Sequence, residues 1–220
     1  MINILYEDNH ILVVEKPINV PVQLDSSNDK DLHSMLKEYI KEKYNKPGNV
    51  YLGIVHRLDR PVGGVMVFAK TSKAANRITS QIKQYQFEKI YHAVIDGNIL
   101  EEKGLLKDKL LKNNHTNIVR VDENGKDSEL EYEVLMKKSN LTLVKINLKT
   151  GRSHQIRVQF SSRNYPLYGD QKYNFKVKEK EQIALFASSL SFYHPITKER
   201  MTFKLKLPKR KPWNLFSTTI

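Results

Sequence analysis

The segment GIVHRLDRPVGGVMVFAKT, Gly53 to Thr71, sets a charged stretch between two apolar ones, and no other feature constrains the fold as much. Ile54 and Val55 before it and Val65 to Phe68 after it suit buried strands, whereas His56, Arg57, Asp59 and Arg60 do not enter a sheet interior without partners. The chain must leave the sheet, turn and return. Pro61 fixes a backbone torsion in that turn, and Gly63-Gly64 permit torsions and close approaches that bulkier residues forbid. A carboxylate crowded by two guanidiniums stays ionised, which makes Asp59 a candidate reactive group. The competing explanation is a surface ion pair at an ordinary turn.

Around this segment the pattern alternates between strands and a few helices. INILYEDNHILVVEKPINVP reads as a strand, a turn at Glu7 to His10, and a strand through Ile11 to Val14 that ends at Lys16-Pro17. Leu32, Met35, Leu36, Tyr39 and Ile40 predict a helix over about Leu32 to Tyr44, ended by Lys46-Pro47-Gly48. Ser72 is placed to cap a second helix with Ala75, Ile78, Ile82 and Tyr85 on one face. EKIYHAVIDG, Glu88 to Gly97, is a strand apolar on both sides.

A polar excursion from Leu100 to Ser128 follows, with a hairpin expected around Asp122 to Lys126. ELEYEVLM and LTLVKINLK predict an antiparallel pair, as do IALFASSLSFYHP and ERMTFKLKLP. Thr150-Gly151 breaks the strand before it, and Ser153 is expected to cap a short helix to about Ser162. No Ser/Gly/Pro-rich linker divides the chain. The expectation is one domain over residues 1–220, α+β in class, with a mixed, mostly antiparallel central sheet flanked by helices and loops.

Charge narrows the partners. Lys and Arg number 37 against 24 Asp and Glu, a formal net charge of +13, which favours a polyanion because each phosphate contact releases counterions. Nucleic acid leads over anionic lipid, and the bland alternative is a soluble lysine-rich protein. One basic cluster, PKRKPW at Pro208 to Trp213, reads as a phosphate contact or a solvated tail. With no Cys, thiol nucleophiles, disulfides and thiolate metal sites are excluded. No apolar window of about 20 residues and no signal pattern is present, so a cytoplasmic protein without a membrane segment is expected. The seven histidines show no close pairing and no acidic companions, so no metal is expected. No GxSxG elbow and no phosphate-binding glycine loop occurs.

Two further candidates lie downstream. Tyr91, on the strand apolar on both sides, either fills the core or presents its ring and hydroxyl to a ligand. TGRSHQIRVQF, Thr150 to Phe160, gathers Arg152, His154, Gln155 and Arg157 at a strand-to-helix junction, where a polar or anionic ligand is favoured over arginines lying across the core.

Taken together, HRLD at His56 to Asp59, KIYHAVIDG at Lys89 to Gly97 and TGRSHQIR at Thr150 to Arg157 resemble the RluA-type pseudouridine synthases. EDNHILVVEKPINVP, PLYGDQKY at Pro166 to Tyr173 and HPITKERMTF extend the likeness in the same order over nearly the whole chain. The resemblance implies the pseudouridine synthase fold, RNA as partner, no cofactor, and isomerisation of a uridine to pseudouridine after the base is flipped out. Asp59 then stands at the essential aspartate, Tyr91 at the active-site tyrosine, and Arg157 at the arginine that pairs with the aspartate. Arg57 matches the residue that helps occupy the gap left by the extruded nucleotide, and His56, Arg60, Arg152, His154 and Gln155 are expected to contact RNA or support those that do.

Asp59 is nucleophile or base; the residues do not choose. Ribosomal RNA is the expected substrate, with transfer RNA as the alternative, and a monomer the expected state. A noncatalytic RNA-binding module and an RNA glycosidase that releases the base are the rival activities. This chain departs from many relatives in three places. Val62-Gly63-Gly64 replaces Thr-Ser-Gly, Gln159 and Phe186 stand where histidines are frequent, and an S4-like domain ahead of the catalytic pattern is not expected.

Overall fold

The computed structural model describes residues 2–25, 27–177 and 181–216. In chain order these form β1 (Asn3–Glu7), β2 (Ile11–Lys16), α1 (Leu32–Lys43), β3 (Gly53–Ile54), β4 (Gly63–Ala69), α2 (Ser72–Lys83) and β5 (Glu88–Asp96). There follow β6 (Lys103–Asn113), β7 (Ile118–Val121), β8 (Lys126–Lys138), β9 (Leu141–Leu148), α3 (Gln155–Ser161), β10 (Leu185–Tyr193) and β11 (Arg200–Lys204). This is the expected α+β class. The chain divides into two compact units: Met1–Glu88 with Ser189–Leu205, and Lys89–Ser188 with Lys206–Ile220.

The first unit is built on β1-β2-β4-β10, with β3 beside β4 and β11 beside β10. β2 pairs antiparallel with β4 from Ile11↔Ala69 to Lys16↔Gly64. Both strands are apolar at successive positions because both of their faces are covered. Ile11, Val13, Val65 and Val67 point into a cluster with Ile78 of α2, Phe87, Leu190 and Phe192, while Leu12, Val14, Met66 and Phe68 are buried on the opposite face. Asp31 caps α1, its carboxylate accepting from the Ser34 amide at 3.0 Å.

The cap of α2 falls on Thr71, one residue before the expected Ser72: Thr71 is extended, and its Oγ1 accepts from the Ala74 amide at 3.1 Å. An N-cap side chain reaches the amide two or three positions on, and from Thr71 that is the Ala74 amide, one of those at the helix start with no carbonyl partner inside the helix.

The second unit has the antiparallel order β5-β9-β8-β6-β7. Here the polar excursion is corrected: Leu100 to Ser128 holds the long β6 and the start of β8. The outer faces of these strands carry Lys103, Lys107 and Lys109 in the open, so only Leu106 and Leu110 mark a buried side. The expected hairpin also moves. β7 turns back on β6 (Asn113↔Ile118), and β8 then pairs with the other edge of β6, so Asp122 to Gly125 crosses over β6 at Leu110. A Cβ on Gly125 would lie 2.5 Å from the Leu110 backbone, which is why a glycine stands there.

α3 begins after His154, not Ser153; His154 is left-handed at φ 51° and caps nothing with its side chain. Its entry is closed from inside by Gln155, whose Oε1 accepts from Thr150 Oγ1 at 2.7 Å and the Arg152 amide at 3.0 Å. The PKRKPW stretch is anchored, not a solvated tail: Trp213 and Phe216 are buried, and Arg210 donates to the Ile183 carbonyl at 3.1 Å. Among the described residues no helix is long and apolar enough to cross a membrane.

Candidate active site

In the first unit, Asp59 stands in the loop between β3 and β4, half-buried, and its carbonyl accepts the Val62 amide at 2.9 Å to close a turn over Arg60 and Pro61. Chain reversal at this point follows from sequence: Pro61 cannot extend a strand ladder, and Gly63 opens β4. A Cβ on Gly63 would come 3.1 Å from both the Lys16 carbonyl and Ile18 Cγ2. The glycines in Val62-Gly63-Gly64 therefore let the start of β4 lie against the Lys16–Ile18 backbone.

Lys16, which sequence reasoning passed over, is the second charged member of this loop. It is 1 % exposed, and its Nζ donates to the carbonyls of Pro17 at 2.8 Å and Arg60 at 3.0 Å. Burial drives its pKa down to about 7, against the pull of the Asp59 carboxylate, which favours the ammonium. The lysine thus ties β2 to the residue after Asp59 and places a titratable cation in the field of that carboxylate. The signal was present in Glu15-Lys16-Pro17 as a lysine closing an apolar strand, but nothing in periodicity says that its head is buried.

Arg57 is exposed. Arg60 is committed to the neighbouring loop: Nη1 donates to Ser27 Oγ at 2.8 Å, and the guanidinium pairs with Asp29 and, at 3.7 Å, with Asp25. His56 packs edge-on against Phe87 at 5.2 Å, and its Nε2 accepts the Val67 amide at 3.1 Å, so the ring holds the loop to β4.

In the second unit, Tyr91 is buried on β5, opposite Ile146 of β9. Lys89 lies two residues earlier on the same face, since strand side chains alternate. Its Nζ reaches the Thr150 carbonyl at 3.4 Å, and burial draws its pKa down to about 8. A buried phenol and a buried, readily neutralised amine therefore share one side of β5.

Arg157 is buried on α3 and gripped by Asp170: Nε donates to one carboxylate oxygen at 2.8 Å and Nη2 to the other at 2.7 Å. Such a fork fixes the plane of the guanidinium as well as its position. Tyr173 lies over it, the ring centroid 5.1 Å from Arg157 Cζ, and its hydroxyl is 2.7 Å from His154 Nδ1. Asp170 and Tyr173 belong to the PLYGDQKY stretch that the resemblance included, yet no pattern of composition or spacing matches that acid to an arginine thirteen residues away. Gln155 is buried, and its amide also donates to the Glu129 carbonyl and to Gln159, so its side chain is spent on internal bonds. Arg152 is exposed and donates to the Asp127 carbonyl at 2.8 Å. Among the described residues no cluster of three or more His, Asp or Glu could hold a metal.

The arrangement offers a carboxylate turn backed by a buried ammonium in one unit, and a buried phenol with an immobilised guanidinium in the other. Comparison with known proteins bears on what these do. Residues 10–162 match the sequence model of a family described as RNA pseudouridylate synthase. An "uncharacterized RNA pseudouridine synthase" of Aquifex aeolicus is 36% identical over 222 residues, covering 94% of this chain and 70% of its own. The ribosomal large subunit pseudouridine synthase C of Buchnera aphidicola subsp. Baizongia pistaciae is 36% identical over 90% of this chain and 64% of its own. That of Vibrio cholerae is 32% identical over 90% and 63%. The chain thus spans 63% to 70% of the length of these relatives. The human RNA pseudouridylate synthase domain containing 4 shares the fold, with a TM-score of 0.79 at 22% identity over 94% of this chain and 89% of that one.

Proposed function

Because the chain belongs to the RNA pseudouridylate synthase family, we propose that it isomerises a uridine in ribosomal RNA to pseudouridine, its two units acting as one catalytic domain over residues 1–220. The observation that carries the reading to specific residues is the Arg157–Asp170 fork. A guanidinium held along one edge by a buried carboxylate is a fixed cation, and a fixed cation suits the task of keeping a second carboxylate ionised and aimed. By the family resemblance, Arg157 is assigned that task toward Asp59.

The reaction breaks the N1–C1′ bond, turns the uracil and joins C1′ to C5; the C5 proton leaves and N1 gains one, so the change needs no redox partner and no group donor. The base first leaves its stack, at a cost of about a few kcal/mol that falls in loops. Exposed Arg57 is assigned to the gap it leaves, and Arg152 to phosphate. Asp59 acts on the sugar or the uracil as nucleophile, or removes the 2′ proton as base. Tyr91 stacks on the uracil and helps remove the C5 proton. His56, His154 and Gln155 act as supports, as their internal bonds suggest, and Arg60 holds the loop after Asp59. Ribosomal RNA is preferred to transfer RNA on the names borne by the Buchnera and Vibrio relatives. A cytoplasmic monomer is part of the same reading.

Asp59→Ala tests it. The variant should bind RNA as the native chain does and form no pseudouridine; undiminished product would overturn the assignment. Chromatography separates pseudouridine from free uracil, the product expected of a glycosidase. A pseudouridine map of total RNA from cells with and without the gene identifies the substrate, and a lost transfer RNA mark with intact ribosomal ones would move the assignment.

A further inference from the structure

Phe175 is the most exposed large apolar side chain among the described residues, at 100 %. A lone exposed hydrophobe needs no explanation in itself. The frame around this one sets it apart. Asp170, already bound to Arg157, also accepts the amides of Lys172 at 3.0 Å and Tyr173 at 3.3 Å. Asn174 is buried, and its amide nitrogen donates to Asp96 at 3.1 Å and to the Leu167 carbonyl at 3.3 Å. Its side-chain oxygen accepts the Lys176 amide at 3.1 Å, and its carbonyl accepts the Val177 amide at 3.3 Å. The residue between, Phe175, is thereby held at the tip of a tight turn with its ring in solvent.

The surroundings are basic. Lys172 and Lys176 lie on either side of Phe175 in sequence, and Lys172 Nζ reaches across to the Asn117 carbonyl at 3.0 Å before β7. The Tyr173 hydroxyl accepts the Val119 amide of β7 at 2.9 Å, while Lys112 of β6 stands opposite Val119. The loop therefore rests on a strand edge that carries its own cations. Aromatic rings presented among lysines bind unpaired nucleic acid, since every base has a face to stack and every linker a phosphate to pair.

We propose that Phe175 is a stacking platform for an unpaired nucleobase of the RNA substrate, with Lys172 and Lys176 on the adjoining phosphates. The proposal rests on the RNA reading above and adds a contact outside the reacting residues. Through Asp170 and Tyr173 the platform shares its frame with Arg157, so the stacked base belongs to the strand that carries the target uridine and not to the target itself.

Trp213 is the one tryptophan of the chain and is buried, so Phe175→Trp introduces a solvent-exposed reporter. Its fluorescence should be quenched by an unstructured uridine-containing RNA oligonucleotide and not by a blunt RNA duplex of equal length. Phe175→Ala should weaken binding of the unpaired RNA roughly tenfold, within the range of about 5- to 150-fold expected of one stacked base. Phe175→Trp should retain native affinity, and the salt dependence should stay unchanged in Phe175→Ala while Lys172→Ala lowers it. Native binding by Phe175→Ala, equal quenching by the duplex, or quenching by anionic phospholipid vesicles but not by RNA would each overturn the proposal. Pseudouridine formation by the native chain is followed on the same oligonucleotide: stacking without product removes the isomerase reading alone, and product without stacking removes this one alone.

Discussion

Glu7 ends β1, and its carboxylate gathers four side-chain donors. Its Oε2 accepts from Tyr39 at 2.9 Å and Lys43 at 2.7 Å, and its Oε1 from Tyr44 at 2.8 Å and Lys70 at 2.7 Å. The carboxylate is 6 % exposed, and Lys70 is buried with it. Burial pushes its pKa up, but the bonds from Lys43, Lys70, Tyr44 and Tyr39 outweigh that and hold it at about 2, from an ordinary 4.5. A carboxylate with a depressed folded-state pKa stabilises the fold above its unfolded pKa and loses that contribution as pH falls through the folded one. A difference of about 2.5 units corresponds to about 3 kcal/mol, of which about 2 is lost by about pH 3.

Glu7→Gln keeps the shape and removes the charge, leaving Lys70 buried without its counterion. It should lower stability by about 3 kcal/mol near neutral pH, as expected for breaking a buried ion pair. Between about pH 5 and pH 3 the gap should close by about 2 kcal/mol. Urea unfolding of both proteins, followed by far-ultraviolet circular dichroism across this window, measures the gap directly. His92, whose pKa burial lowers to about 4, titrates in the same range but is present in both proteins and cancels in the difference. A gap that stays constant from neutral pH to pH 3 would refute the reasoning, because it would mean that the carboxylate is no better held when folded than when unfolded.

Asp170→Asn breaks the fork on Arg157 inside the second unit and should cost about 3–5 kcal/mol in urea unfolding; the surviving enzyme should turn over RNA more slowly, with little change in RNA affinity. Lys16→Met tests the buried ammonium. A lysine whose folded pKa is lowered to about 7 binds its proton more weakly folded than unfolded, so native stability should rise with pH above about 7 towards 10, and this rise should shrink in the variant. Equal pH slopes in the two proteins would contradict the burial of the charge. Gly169→Ala sets a side chain at φ +69° with its Cβ 2.5 Å from the Gln182 carbonyl, and should cost at least about 2 kcal/mol in thermal unfolding.

What the sequence made legible was whatever repeats or punctuates. β2, β4 and β5 announced themselves as apolar runs, and the pair Leu130↔Leu148 to Lys138↔Leu141 followed from two alternating segments and a short joint. β6 stayed hidden because its inward face is apolar only at Leu106 and Leu110, with the charged Asp108 between them, while lysines stand on the outer face. The caps of α2 and α3 were displaced by one residue because a serine near a helix start is a signal of type, and the backbone torsion decides position.

The candidate site divides along the same line. Asp59, Tyr91 and Arg157 were reachable because each sits in a stretch of unusual composition that, in order, matches a family. Asp170, Lys16 and Lys89 were not, because a buried charge looks the same in a sequence as an exposed one; burial comes from tertiary packing. Yet these three residues set the electrostatics. Two lysines drawn down to about 7 and about 8 and an arginine locked by a carboxylate are desolvated cations, each within its own unit, whose fields reach further than those of the solvated lysines that dominate the net charge. The +13 excess then serves to gather RNA, and substitutions of surface lysines should change how binding depends on salt. Substitution of Lys16 or Lys89 should instead change how turnover depends on pH, because burial draws both lysines down towards neutrality.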